Sequence, residues 1–204
     1  GLAESLKRTN DALILSRLTG LSAADSVNTL TAALNGFTKA ALDSTAVTNK
    51  IIAVDQAFAV SGADLAEALK RVGSTAATAG VSLDELLGIV TAAQQITARG
   101  GAVIGNSFKT IFTRLQRPRT IEALEQLGVA TKDASGTLLP VIQILNNLAK
   151  QFDGLAQSQQ SQIAQLVGGV FQINVLKAAL QDLGREYSVF GRATEISANA
   201  SDEA

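Results

Sequence analysis

The sequence predicts an all-α fold, a compact multi-helix domain of short helices with one small β-hairpin near residues 129–139. Three observations carry that expectation. Apolar residues recur three and four apart in several separate runs, which places them on one face of a helix. Ser-x-x-acid sequences open some runs and Gly or Pro closes them, the punctuation expected of helix ends. Hydrophobic residues make up 47% but aromatics only 4%, and the abundant Ala and Leu are good helix formers.

Residues 1–60 read as N-terminal helices. Leu2, Leu6, Leu13 and Leu18 lie at helical spacing before Gly20. Ser22 is placed to cap a second helix through Val27, Leu30 and Leu34, and a weaker third stretch carries Ile51, Ile52, Val54 and Phe58. The segment 61–196 is better punctuated. Ser61 and Asp64 have capping-box form ahead of Leu65, Leu69 and Val72, and Ser82 and Glu85 repeat the device ahead of Leu86, Leu87 and Val90. Ile104, Phe108, Ile111, Phe112 and Leu115 mark the next helix, which ends before Pro118 because the residue preceding a proline is driven out of the α region. A short helix carries Ile121, Leu124 and Leu127. Asp133 to Gly136 is turn chemistry between β-tolerant residues, hence the expected hairpin. Pro140 suits a helix start, followed by Ile142, Leu145, Leu148 and Phe152. Beyond a Gln-rich stretch and Gly168-Gly169, Leu176, Leu180, Leu183, Tyr187 and Phe190 alternate at heptad-like spacing, a seam for a neighbouring helix or for self-association. The segment 197–204 is a polar tail expected to fray.

The composition excludes more chemistry than it suggests. With no Cys and no His, thiolate and imidazole catalysis and the usual zinc ligands are gone. Glu122 and Glu125 lie three apart on one face, the spacing of a carboxylate dyad, but a first-turn position near the positive helix end is the better explanation. Gly100 and Gly105 have phosphate-loop spacing, yet Asn106-Ser107 stand where Lys-Ser/Thr is required and no strand precedes them. Gly101 and Gly105 read instead as a site of close helix approach. No catalytic residue, cofactor or metal site is expected. The absence of Met predicts a piece of a longer polypeptide.

With 17 basic and 18 acidic residues, the net charge of −1 supplies no global pull toward nucleic acid. One segment departs from that balance. From Leu86 to Ile121 there is no acid, while Arg99, Lys109, Arg114, Arg117 and Arg119 supply five positive charges. These are the candidate interaction residues, for a solvated face, an acidic protein wall, DNA or headgroups. No interleaved aromatics point to single-stranded nucleic acid.

Residues 61–128 resemble the minor tail, or tape measure, family of long-tailed bacteriophages, most characteristically from Arg99 through Leu115 and from Ile121 to Val129. KDASGTLLP at 132–140 is similar to the family's short turn, and the helices to Phe190 to its closing part, while the first 50 residues match more loosely. The resemblance implies a virion protein, made in the host bacterial cytoplasm, that takes part in tail assembly, tail length determination and genome ejection. It implies tube proteins, distal tail proteins and assembly chaperones as partners, a homo-oligomer, commonly a trimer, and no specific nucleic acid. An alternative, suggested by the Ala/Gly-rich composition and the basic segment, is a membrane-active or channel-forming domain acting on the host membrane. One continuous helix of this length would span roughly 300 Å, whereas the caps and breakers predict a folded module with a radius of gyration of about 17 Å.

Overall fold

A computed structural model of the chain describes residues 1–200; positions 201–204, the end of the expected polar tail, lie outside the described residues. The described residues form eleven α-helices: α1 (Leu2–Thr19), α2 (Ala23–Gly36), α3 (Ser44–Ala57), α4 (Gly62–Thr78), α5 (Leu83–Thr97), α6 (Gly101–Leu115), α7 (Pro118–Gln126), α8 (Val141–Phe152), α9 (Gln157–Val167), α10 (Gly169–Leu183) and α11 (Val189–Asn199). A 3-10 turn at Thr38–Ala40 joins α2 to α3.

The middle of the chain builds the centre. α5 is buried continuously from Leu86 to Gln94, so it is the core helix of the fold rather than one with a single apolar stripe. Around it pack α4, α6, α10 and α11. Phe108 and Phe112 of α6 stack with ring centroids 5.4 Å apart and are fully buried. α2 lies on the far side of α4, and α1 closes over α2 and α3. α8, α9 and α10 form the opposite end.

Local capping chemistry and tertiary contacts join at two places. Ser82 and Glu85 complete a reciprocal box, the Ser82 hydroxyl accepting from the Glu85 amide at 3.1 Å and the Glu85 carboxylate from the Ser82 amide at 2.9 Å. At α4 the Ser61 hydroxyl accepts from the Asp64 amide at 3.0 Å and donates to the Asp64 carboxylate at 2.9 Å, but that carboxylate does not return to the Ser61 amide. It accepts from the Gly101 amide at 2.6 Å and from the Gln94 side chain at 2.7 Å. One acid thus joins the start of α4 to the ends of α5 and α6. A second buried tie is Lys50, whose ammonium donates to Asp84 at 2.8 Å and to the Ser197 carbonyl at 3.0 Å, linking α3, α5 and α11. Ser197 is fully buried there.

The expected β-hairpin near 129–139 is not formed. Among the described residues there is no strand, only an isolated antiparallel bridge between Lys132 and Leu138. The turn itself is well made: the Asp133 carboxylate accepts from the Ser135 amide at 2.8 Å and the Thr137 amide at 3.0 Å. The ladder has nowhere to grow. Val129 N–H already donates to the Leu124 carbonyl at the end of α7, and Pro140 has no N–H and caps α8. The Ala130 carbonyl accepts from the Asn147 side chain of α8 at 2.9 Å.

Candidate functional site

The sequence-selected basic residues fall in two places. Arg99 lies at the loop before α6 and Lys109 on its outer face, both exposed. Arg114, Arg117 and Arg119 come together where α6 ends and α7 begins. With Thr120, Ala123, Gln162, Gln165 and Leu166 they line a groove of about 410 Å³ between these helices and α9. None of the five basic residues forms an ion pair among the described residues.

The local sequence accounts for the groove. α6 ends at Leu115, and Arg117 precedes Pro118 in extended conformation as the N-cap of α7. Pro118 occupies the first helical position, where its missing N–H costs nothing. Arg117 offers no side-chain cap; its carbonyl accepts from the Thr120 and Ile121 amides at 2.9 and 3.0 Å, so of the first-turn amides that of Arg119 stays open to an acceptor. Arg114 is held from the other side: its guanidinium donates to the Gln165 and Leu166 carbonyls at 3.3 and 3.4 Å. Both carbonyls lie in the last turn of α9, which has no cation of its own there, and that of Gln165 also accepts from the Gly168 amide. Thr120 is fully buried, and its hydroxyl has no hydrogen-bond partner among the described residues.

The lining of Thr120, Gln162 and Gln165 had no signature in the sequence beyond the Gln-rich run of α9. Glu122 and Glu125 sit outside the groove. Contrary to the first-turn expectation, they occupy later turns, since α7 begins at Pro118 and has no acid in its first turn. Glu125 accepts from the Thr131 hydroxyl at 2.6 Å and pairs with Lys132 at 2.9 Å. The Thr131 hydrogen bond, then Lys132, holds its carboxyl below the ordinary range. It fastens the 129–139 turn to α7.

The remaining candidates are placed as follows. Gly101 and Gly105 face α4. A side-chain carbon on Gly101 would sit 2.6 Å from the Asp64 carbonyl carbon, and one on Gly105 2.9 Å from the Ala68 Cα. The Asp64 carboxylate also occupies the start of α6, where a phosphate-binding loop would hold its anion. Leu176, Leu180 and Leu183 lie on α10, which stops at Leu183, and Phe190 lies on α11, so the heptad-spaced residues do not share one helix. Tyr187, between the two, is 83% exposed. The break is enforced by Asp182, a buried carboxylate that accepts from the Val189 and Phe190 amides at 2.9 and 2.8 Å. No single described helix is long and apolar enough to cross a membrane; α9 and α10 together reach that composition but are bent by 112° at their junction. Among the described residues no cluster of three or more carboxylates could hold a metal ion.

Two curated proteins resemble the chain. Over 109 residues it is 29% identical to the probable tape measure protein of Escherichia phage P2, covering 52% of this chain and 13% of that protein. Over 100 residues it is 26% identical to the tape measure protein of Pneumococcus phage Dp-1, covering 48% of this chain and 9% of that protein. The chain therefore spans only a small part of the length of these relatives. No solved structure matches significantly. The pattern of phage-related minor tail proteins matches residues 2–169, from the first helix to the bend between α9 and α10, and the chain belongs to that family.

Proposed function

We propose that this chain is a folded module of a tape measure protein, a structural component of the phage tail that acts in tail assembly, tail length determination and genome ejection through contacts with other tail proteins and with further copies of itself. Family membership across residues 2–169 carries the reading. The surface supports it. Leu2, Leu6 and Leu13 form one line along the outer face of α1, each more than half exposed. Val170 and Phe171 project at the α9–α10 bend, 76% and 85% exposed. Apolar side chains aligned in this way mark a surface that is covered in an assembly.

The helices fold back on one another, so the module contributes little length. The longest, α1, has 18 residues, about 27 Å at the α-helical rise. Its role is therefore to be recognised and packed rather than to measure. Deleting the codons for residues 61–196 in frame from the tail gene tests this. The expected result is a loss of infectious particles beyond any change in tail length, scored by plaque assay and electron microscopy. Infectious particles whose tails shorten in proportion to the residues removed would contradict it.

A further inference from the structure

We propose that the groove between α6, α7 and α9 docks an acidic peptide segment of a partner protein, whose carboxylates are held by Arg114, Arg117 and Arg119. That the partner is another tail protein rests on the tail-module reading; the chemistry of the groove does not.

Four observations converge. The groove has no counter-charge of its own: no lining residue is acidic, the chain has no acid from Leu86 to Ile121, and 154–176, which includes all of α9, is uncharged. Glu122, the nearest acid along α7, is not among the lining residues. Second, α7 starts in the groove with proline at its first position and no side-chain cap; the Thr120 and Ile121 amides donate to the Arg117 carbonyl, which leaves the Arg119 amide and the positive helix end for an anion. Third, the Thr120 hydroxyl is fully buried in the lining without a partner. Such a group is costly to leave unmatched, and an incoming acceptor would satisfy it. Fourth, the α9 carbonyls fix the Arg114 guanidinium before any ligand arrives, which reduces the ordering cost of binding.

The shape and chemistry select a peptide over a nucleic acid. Guanidinium groups match carboxylates with paired, parallel hydrogen bonds. The amides of Gln162 and Gln165 supply both donors and acceptors for a peptide backbone. The lining includes no aromatic residue on which bases would stack. A concave groove of about 410 Å³ holds one or two side chains, whereas a duplex would need a broad basic ridge.

The test is fluorescence anisotropy of a fluorescein-labelled oligoglutamate peptide titrated with the 204-residue chain. Saturable binding that weakens with added salt is expected. The double variant Arg117→Gln/Arg119→Gln, with circular dichroism confirming its fold, should lose about tenfold or more in affinity. Arg99→Gln/Lys109→Gln, which leaves the groove intact, should bind as the parent does. Absence of parental binding overturns the proposal. So does an equal loss in the Arg99/Lys109 variant, or duplex DNA binding more tightly than oligoglutamate at the same salt concentration. These results leave the tail-module reading untouched, and a phage that tolerates the 61–196 deletion overturns that reading while peptide binding stands.

Discussion

Gly101 shows how one residue links local and tertiary structure. It is the first residue of α6, its amide is capped by the Asp64 carboxylate, and it lies against the Asp64 backbone with no room for a side-chain carbon. Gly101→Ala would push that carbon into backbone, which cannot swing aside as a long side chain can. The expected loss is about 3 kcal/mol, at the upper end for overpacking, read as a lower urea midpoint with the slope unchanged. The Ser82–Glu85 box was legible in the sequence because both partners lie within one turn. The second role of Asp64 was not, since its ligand is 37 residues away and only the approach of α6 to α4 brings them together. Thr120 had no sequence signal for the same reason: an unpartnered hydroxyl is a property of its surroundings.

At the scale of elements, the bend between α9 and α10 depends on Gly169, whose φ of +70° lies in the left-handed region. The Arg114 guanidinium sits against it, its terminal nitrogen 2.9 Å from where a side-chain carbon would be. A flexible arginine can yield there, but the backbone cannot. Gly169→Ala should therefore cost about 1–2 kcal/mol, the penalty for an L-residue in this conformation, measured by chemical denaturation. A cost near zero would mean that the bend is held by its neighbours instead. Apolar spacing identified most helices but ran past the end of α10. The spacing from Leu176 to Phe190 runs on across Gly184, yet the chain stops α10 at Leu183 because Asp182 draws the Val189 and Phe190 amides onto itself. The 129–139 turn fails to become a hairpin for a related reason: neighbouring helices already use the hydrogen-bonding groups that a second rung would need.

For the whole molecule, ion pairs outside the core set the response to acid. Glu67 is held below the ordinary carboxyl range chiefly by Lys70, Asp43 chiefly by Lys7, and Asp25 by the Ser22 hydroxyl and then Lys70. A carboxyl whose folded pKa is depressed binds fewer protons folded than unfolded, so stability rises with pH across that interval. Their contribution is present above the unfolded carboxyl values near pH 4 and is lost as pH falls through the lower folded values. Thermal unfolding followed from pH 6 to pH 2 should show a steady decline in midpoint that begins near pH 4, less steep in Lys70→Gln. An unchanged midpoint would show these pairs to be without consequence. The same scale decides which face of a helix is inside. α1 carries leucines on more than one side; the sequence reading grouped Leu2, Leu6, Leu13 and Leu18, but the fold buries Asp11, Ala12 and Leu15 instead. Asp11 is tolerated there because the Ser44 and Thr45 hydroxyls donate to its carboxylate.

Periodicity, capping residues and the absence of Cys and His determined from the sequence alone that the chain is helical, where most helices begin, and that imidazole and thiolate chemistry are closed to it. These are matters of spacing within a turn or of composition, and no distant partner can alter them. Only the tertiary structure decided that α5 is the central helix, that α1 turns Leu2, Leu6 and Leu13 outward, and that three of the five selected basic residues share one groove with a buried threonine and two glutamines. Such outcomes depend on contacts between residues tens of positions apart, which helical spacing along a single chain does not encode.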